Sequence, residues 1–212
     1  LADLARFVPA LPGPVTVSGR VEPRASDFGV TLDVSGPGRI AARVAGSIPA
    51  DGASADLAIR GTAEAAMVNP LIAPRNISGP VAFDLSLRGP ARLSSLAGTV
   101  RLDGARLVAP LQGVAVGGIA AAARLSGGRA AVTARGDVQG GGTVAVSGNL
   151  GLAAPFPADL SVRLAAARLR NPDLFDTRVT GALGVSGALA GALSISGDVA
   201  LGETEIRIAS TG

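Results

Sequence analysis

Val81-Ala82-Phe83-Asp84-Leu85-Ser86-Leu87-Arg88 decides the fold. Val81, Phe83, Leu85 and Leu87 are apolar, whereas Ala82, Asp84, Ser86 and Arg88 are small, polar or charged. A period of two sends alternate side chains to opposite faces of a sheet, so this stretch predicts a strand with one apolar and one wet face. Leu160, Val162 and Leu164 repeat the beat against Asp159, Ser161 and Arg163.

Working outward from that stretch, alternation predicts strands near 15–21, 29–34, 39–45 and 55–60 on its N-terminal side. On its C-terminal side strands are expected near 98–102, 105–108, 114–125, 129–134, 142–148, 159–169, 178–185, 193–201 and 205–208. The spacing is too short for the helical crossovers that a parallel sheet needs, so the reading is all-β, an elongated antiparallel meander. At ~4.8 Å per strand, about fourteen strands would extend roughly 65 Å.

Two places break the beat. Leu1 to Ala10 reads as a short helical stub ended by Pro9, Pro12 and Pro14. Thr62 stands before Ala63, Glu64, Ala65, Ala66, Met67 and Val68, a hydroxyl N-cap ahead of good helix formers, with Pro70 and Pro74 as stops. One short helix is expected near residues 63–69, and it divides N-terminal β repeats (1–62) from a second stretch of the same ribbon (63–212). Ile77-Ser78-Gly79 and Val179-Thr180-Gly181 each open similar runs of apolar alternation between glycines. Their irregular period argues against a strict solenoid repeat.

Composition sets limits. Of 212 residues, 48% are hydrophobic but only 2% aromatic, with five Phe, no Trp and no Tyr, so any interior is built from Leu, Val, Ile and Ala. Thirty Gly and fourteen Pro fall between the apolar runs as turn and bulge punctuation. Missing Trp and Tyr girdles argue against a membrane-spanning barrel. The net charge of +3 is carried by arginines such as Arg20, Arg43, Arg60, Arg88, Arg101, Arg135 and Arg163 scattered through the chain. A nucleic-acid binder concentrates positive charge, so no nucleic-acid partner is expected.

Catalytic chemistry finds no foothold. Without His or Cys, Ser/His, Cys/His and zinc constellations cannot be assembled. Asp33, Asp84, Asp103, Asp137, Asp159 and Asp198 sit beside turns or opposite apolar beats, as on a solvated face. Gly140-Gly141-Gly142-Thr143-Val144-Ala145 fits GxGxxA, but Val144 and Val146 continue as a strand, so it reads as a turn or bulge and not as a phosphate cradle. The Asn76-Ile77-Ser78 sequon is treated as coincidence. No enzyme activity, cofactor or metal is expected.

Val179 to Gly197 carries no charge and invites a membrane reading. Thr180, Ser186, Ser194 and Ser196 alternate with Val179, Leu183, Val185, Leu193 and Ile195, and Gly181, Gly184, Gly187 and Gly191 would weaken a helix. Strand, turn, strand is the better account. The chain has no charged n-region followed by an apolar segment, so it reads as an excerpt of a longer protein.

Asn69-Pro70-Leu71-Ile72-Ala73-Pro74, Ile77-Ser78-Gly79-Pro80 and Asp84-Leu85-Ser86-Leu87-Arg88-Gly89 resemble the C-terminal region of the TamB family, the translocation and assembly module proteins, relatives of the AsmA-like group. So do the stretch from Arg170 through Asn171, Asp173, Phe175 and Asp176 to Gly181, and Gly202-Glu203-Thr204-Glu205-Ile206-Arg207-Ile208. The resemblance spans roughly residues 63–212. It implies a U-shaped trough with an apolar interior, in a periplasmic protein of a Gram-negative bacterium whose full length is anchored in the inner membrane. It also implies phospholipid or other acyl-chain lipid as cargo, and a TamA-type outer-membrane partner engaged through regions outside this chain.

The expected lipid-groove lining is the set of beat residues: Val81, Phe83, Leu85, Leu87, Val100, Leu102, Val114, Val116, Ile119, Leu125, Val132, Val144, Val146, Leu160, Val162, Leu164, Val179, Leu183, Val185, Leu193, Ile195, Val199, Leu201, Ile206 and Ile208. The alternative is that these residues interlock as the dry core of a closed structural or adhesive β-solenoid from a secreted passenger domain.

Overall fold

The structure, a computed structural model, describes residues 14–171 and 175–206. The predicted N-terminal stub and Ile208 lie outside the described residues. The chain forms β1 (Thr16–Pro23), β2 (Asp27–Gly36), β3 (Ile40–Pro49), β4 (Ala55–Glu64), β5 (Asn76–Ser78), β6 (Pro80–Gly89) and β7 (Leu96–Ala109). It continues with β8 (Val114–Ser126), β9 (Arg129–Val138), β10 (Thr143–Gly151), β11 (Pro157–Asn171), β12 (Phe175–Ala188) and β13 (Leu193–Ile206).

All thirteen strands belong to one sheet; β5 pairs only with β7, and the other twelve follow sequence order. Every pairing is antiparallel. Eleven steps of ~4.8 Å make the sheet roughly 53 Å long, shorter than the sequence suggested. The difference lies in the bulges. Segments 98–102 and 105–108 form one strand, β7, whose register slips between Leu102 and Ala105. Segments 193–201 and 205–208 likewise merge as far as Ile206, with the slip between the Val179–Leu201 and Thr177–Thr204 pairs. A bulge reverses the parity of the alternation without ending the strand, so the sequence pattern looks broken where the backbone is continuous. β5 is the strand the pattern did not resolve.

The helical interruption is real but differently built. Thr62 is still in β4; a 3-10 turn covers Ala65–Val68 with Glu64 at its N-cap, and α1 covers Asn69–Ile72. Neither has a side-chain cap, so Thr62 plays no capping role. Residues 62 and 63 both lie in β4, which pairs with β6 across the insertion, so the sheet runs through it.

Gly140 to Gly142 make the β9–β10 turn, with the Gly141 amide donating to the Val138 carbonyl at 2.9 Å. Val179 to Gly197 is β12, turn and β13. Among the described residues no helix is long and apolar enough to cross a membrane.

Slips fall on β7, β8, β11, β12 and β13 toward the same end of the strands. β10 stops there, at Thr143, and the turn before it bridges its neighbours: the Gln139 amide donates to the Ala115 carbonyl (2.7 Å) and the Arg168 amide to the Gly141 carbonyl (3.0 Å). Val116, Val138 and Ala167 consequently pack together, joined by Leu107, Val114, Ile119, Val144 and Leu164. Bulges bend strands and increase twist, so the sheet is creased along this line, where the apolar cluster gathers. It remains open. No second sheet covers that face among the described residues, and no large side chain there is fully buried. The described residues form no closed solenoid core of interlocked side chains.

Candidate functional site: the apolar face of the sheet

Register decides which side chains share a face. One row of directly opposed residues crosses the sheet: Val17, Val34, Ala42, Gly61, Phe83, Val100, Ala123, Val132, Gly148, Leu160, Val185 and Ile195. It contains no polar side chain. A parallel row runs Ala63, Val81, Leu102, Ala121, Ala134, Val146, Val162, Leu183 and Gly197. Leu85 and Leu125 face each other across Gly98, and Val144, Leu164 and Val199 fall in line through Gly181.

The expected lining residues from Val81 to Ile206 thus fall on one face in this register. Their surroundings differ. Leu87, Val116 and Val179 are buried, and Val114, Val116, Ile119, Val144 and Leu164 belong to the packed cluster at the crease. Phe83, Leu85, Val100, Leu102, Leu125, Val132, Val146, Leu160, Val162, Leu183 and Val185 are half-buried along the middle. On the outermost strand Leu193, Ile195, Val199, Leu201 and Ile206 are exposed.

Several residues of this face escaped the sequence reading. Val30, Leu32, Val34, Val44, Leu57 and Ile59 continue it across β2 to β4, and the same alternation signals them. Leu107 and Leu169 follow bulges that shift the parity, which the pattern alone cannot place.

At the β11–β13 end, Leu169, Phe175, Val179, Leu201 and Ile206 surround a cavity of about 500 Å³, with Thr177 and Thr204 as its polar side chains. Their hydroxyls lie 2.8 Å apart, and Thr204 donates to the Gly202 carbonyl at 3.0 Å. The cavity therefore offers a guest a neutral, largely hydrocarbon surface.

The opposite face is ionic. Asp33 and Arg43, Arg60 and Asp84, and Asp56 and Arg88 are directly opposed and form pairs of 3.0, 3.0 and 3.6 Å. Nearer the crease Arg168 grips Asp176 through two hydrogen bonds of 2.8 and 2.6 Å, which raise the guanidinium above its ordinary pKa. A larger depression of about 830 Å³ lies on this face between β1 and β4, lined by Arg20, Glu22, Arg24, Asp33 and Asp56. Its charges make it unsuited to hydrocarbon. Among the described residues no His, Cys, Asp or Glu cluster could hold a metal ion.

No curated protein and no solved structure matches the chain. A family model does: the TamB C-terminal domain matches residues 131–212, from β9 through the cavity-forming strands to the end of the chain. The open, all-antiparallel sheet agrees with that match, and residues 131–212 are similar to the TamB C-terminal domain.

Proposed function

We propose that this chain is part of a non-enzymatic periplasmic protein whose apolar sheet face accommodates acyl chains of phospholipid in transit between the inner and outer membranes. TamB is a bacterial envelope family concerned with outer-membrane assembly. The single observation carrying the finer reading is the row from Val17 to Ile195, apolar on all twelve strands and covered by no second sheet among the described residues.

Each methylene moved into water costs about 0.8 kcal/mol, so a sixteen-carbon chain needs continuous cover worth on the order of 12 kcal/mol. A row without charge supplies such cover at every step. Few aromatic side chains leave the trough unfilled, and the hydroxyls of Thr177 and Thr204 satisfy each other, so nothing on this face has to capture a guest's polar group. The full-length protein is anchored in the inner membrane and works with a TamA-type outer-membrane partner.

Leu85→Asp tests the reading. Leu85 is half-buried on the open middle of the trough, so a carboxylate there can reach water without unfolding the sheet, yet it charges the acyl path. Circular dichroism is expected to be unchanged while binding of a fluorescent phospholipid falls at least tenfold. Unchanged binding by the folded variant overturns the proposal.

A further inference from the structure

Two neighbouring loops carry no polar side chain. The segments Leu150 to Ala158 and Gly187 to Leu193, around the β10–β11 and β12–β13 turns, contain only Gly, Ala, Pro, Leu and Phe. We propose that these two loops enter a lipid bilayer together as an apolar tip and hold this end of the strands against the membrane. The proposal goes beyond acyl-chain binding and does not depend on it, because the tip of each loop lies outside the rows of the sheet face.

Other loops at the same end differ. Successive antiparallel strands bring the β1–β2, β3–β4, β6–β7 and β8–β9 connections to this end as well. Arg24, Asp51 and Arg92 lie in the first three, and Arg129 follows the fourth. Charge disappears only at the β10–β11 and β12–β13 loops. Ala153, Ala154, Pro155, Ala190 and Ala192 are exposed there, and Leu189 is 51% exposed. The β10–β11 loop has described hairpins on both sides, so its exposure is a property of the sheet.

The backbone decides between hydrocarbon and a protein partner. In lipid an unsatisfied amide is costly, so irregular backbone enters only if its donors are already used. The Leu189 amide donates to the Phe156 carbonyl at 3.0 Å and the Ala190 amide to the Pro155 carbonyl at 3.2 Å, which ties the loops to each other. Leu152, Phe156, Ala188 and Gly191 donate to the carbonyls of Gly128, Ala153, Ala192 and Ala188. Pro155 and Pro157 have no amide hydrogen. A protein interface exchanges hydrogen bonds around its apolar centre. These loops offer no side-chain donor or acceptor for that exchange, whereas a bilayer asks for none.

Charge returns at the base of the loops, with Arg129 opposite Gly151 and Asp159 opposite Asn149, which limits entry to the loops themselves. On the trough side the apolar surface is unbroken. Leu150, Ala158, Gly187 and Leu193 stand directly opposed in a row next to that of Leu160, so the sheet face runs into the loops without a polar step.

The chain has no cysteine, so single cysteines take a polarity-sensitive dye cleanly. Dye on Ala154→Cys and on Ala190→Cys is expected to shift to the blue with phosphatidylcholine vesicles and to be quenched by brominated acyl chains. Dye on Ala53→Cys, in the β3–β4 loop, is not. In vesicle flotation Leu189→Asp and Ala154→Asp, both at exposed turns and with unchanged circular dichroism, are each expected to lower binding about tenfold. Binding of the unmodified chain is expected to persist in about 1 M salt, because hydrocarbon contact is not screened. Leu189→Asp keeps its binding of a monomeric fluorescent phospholipid and Leu85→Asp keeps its binding of vesicles, which separates this proposal from the trough. Dyes at both loops that ignore vesicles, an equal response at Ala53→Cys, flotation untouched by both Asp variants, or binding that needs phosphatidylglycerol and vanishes in salt overturns the proposal.

Discussion

Thr177 and Thr204 face each other across β12 and β13 with their hydroxyl oxygens 2.8 Å apart, on a face that is otherwise hydrocarbon. Thr177 is 5% exposed, so its hydroxyl has given up water for this one partner. Thr204 keeps a second bond to the Gly202 carbonyl. Removing a single partner from a buried hydrogen bond leaves the other unsatisfied, whereas removing both does not. Thr204→Val, which strips the buried Thr177 hydroxyl of that partner, is expected to cost about 1 kcal/mol in urea denaturation, and the Thr177→Val, Thr204→Val double variant no more than that. Additive losses would contradict the pairing.

Some glycines of the sheet are required by sterics and others are not. Gly98 has φ +128°, and a Cβ there would run into the Asp84 carbonyl of the adjoining strand. Gly117, by contrast, has open space where its Cβ would stand and no positive φ. Gly98→Ala is expected to destabilise the sheet by about 1–3 kcal/mol, and Gly117→Ala to stay within about 0.5 kcal/mol of the parent. Thermal unfolding of the two variants side by side checks this, and equal effects would remove the steric argument.

Asp84 and Leu85 are adjacent in β6 but point to opposite faces. Asp84 accepts from the Arg60 guanidinium at 3.0 Å with both side chains more than half exposed. Exposed pairs contribute about 0.2–1 kcal/mol and are screened by salt. Asp84→Ala is expected to lower stability by less than about 1 kcal/mol, with a smaller loss at about 1 M salt, and to leave phospholipid binding unchanged. Reduced binding in a stable Asp84→Ala protein would show that the outer face takes part.

Most of the face assignment was legible because alternation is read residue by residue: Phe83, Leu160 and Val185 needed only their neighbours' polarity. Strand count was less legible, since Asp103-Gly104 and Gly202-Glu203 look like turns in sequence and are bulges within continuous strands. Thr62 looked like a helix cap, yet pairing with Ala82 keeps it in β4. The packed cluster around Val116, Val138 and Ala167 could not be foreseen, because it depends on where β10 stops relative to its longer neighbours. Beat residues therefore share a face without sharing an environment: Val116 is in a core, and Ile195 is 68% exposed.

Photo-crosslinking in cells tests the central claim most directly, with the reactive side chain placed at Phe83, Val132 and Leu183 and, as controls, at Asp84, Thr133 and Ala182 on the other face of the same strands. The trough predicts phospholipid adducts at the first three positions and none at their neighbours. Lipid captured equally on both faces, or on neither while a known lipid-binding control is labelled, would contradict it.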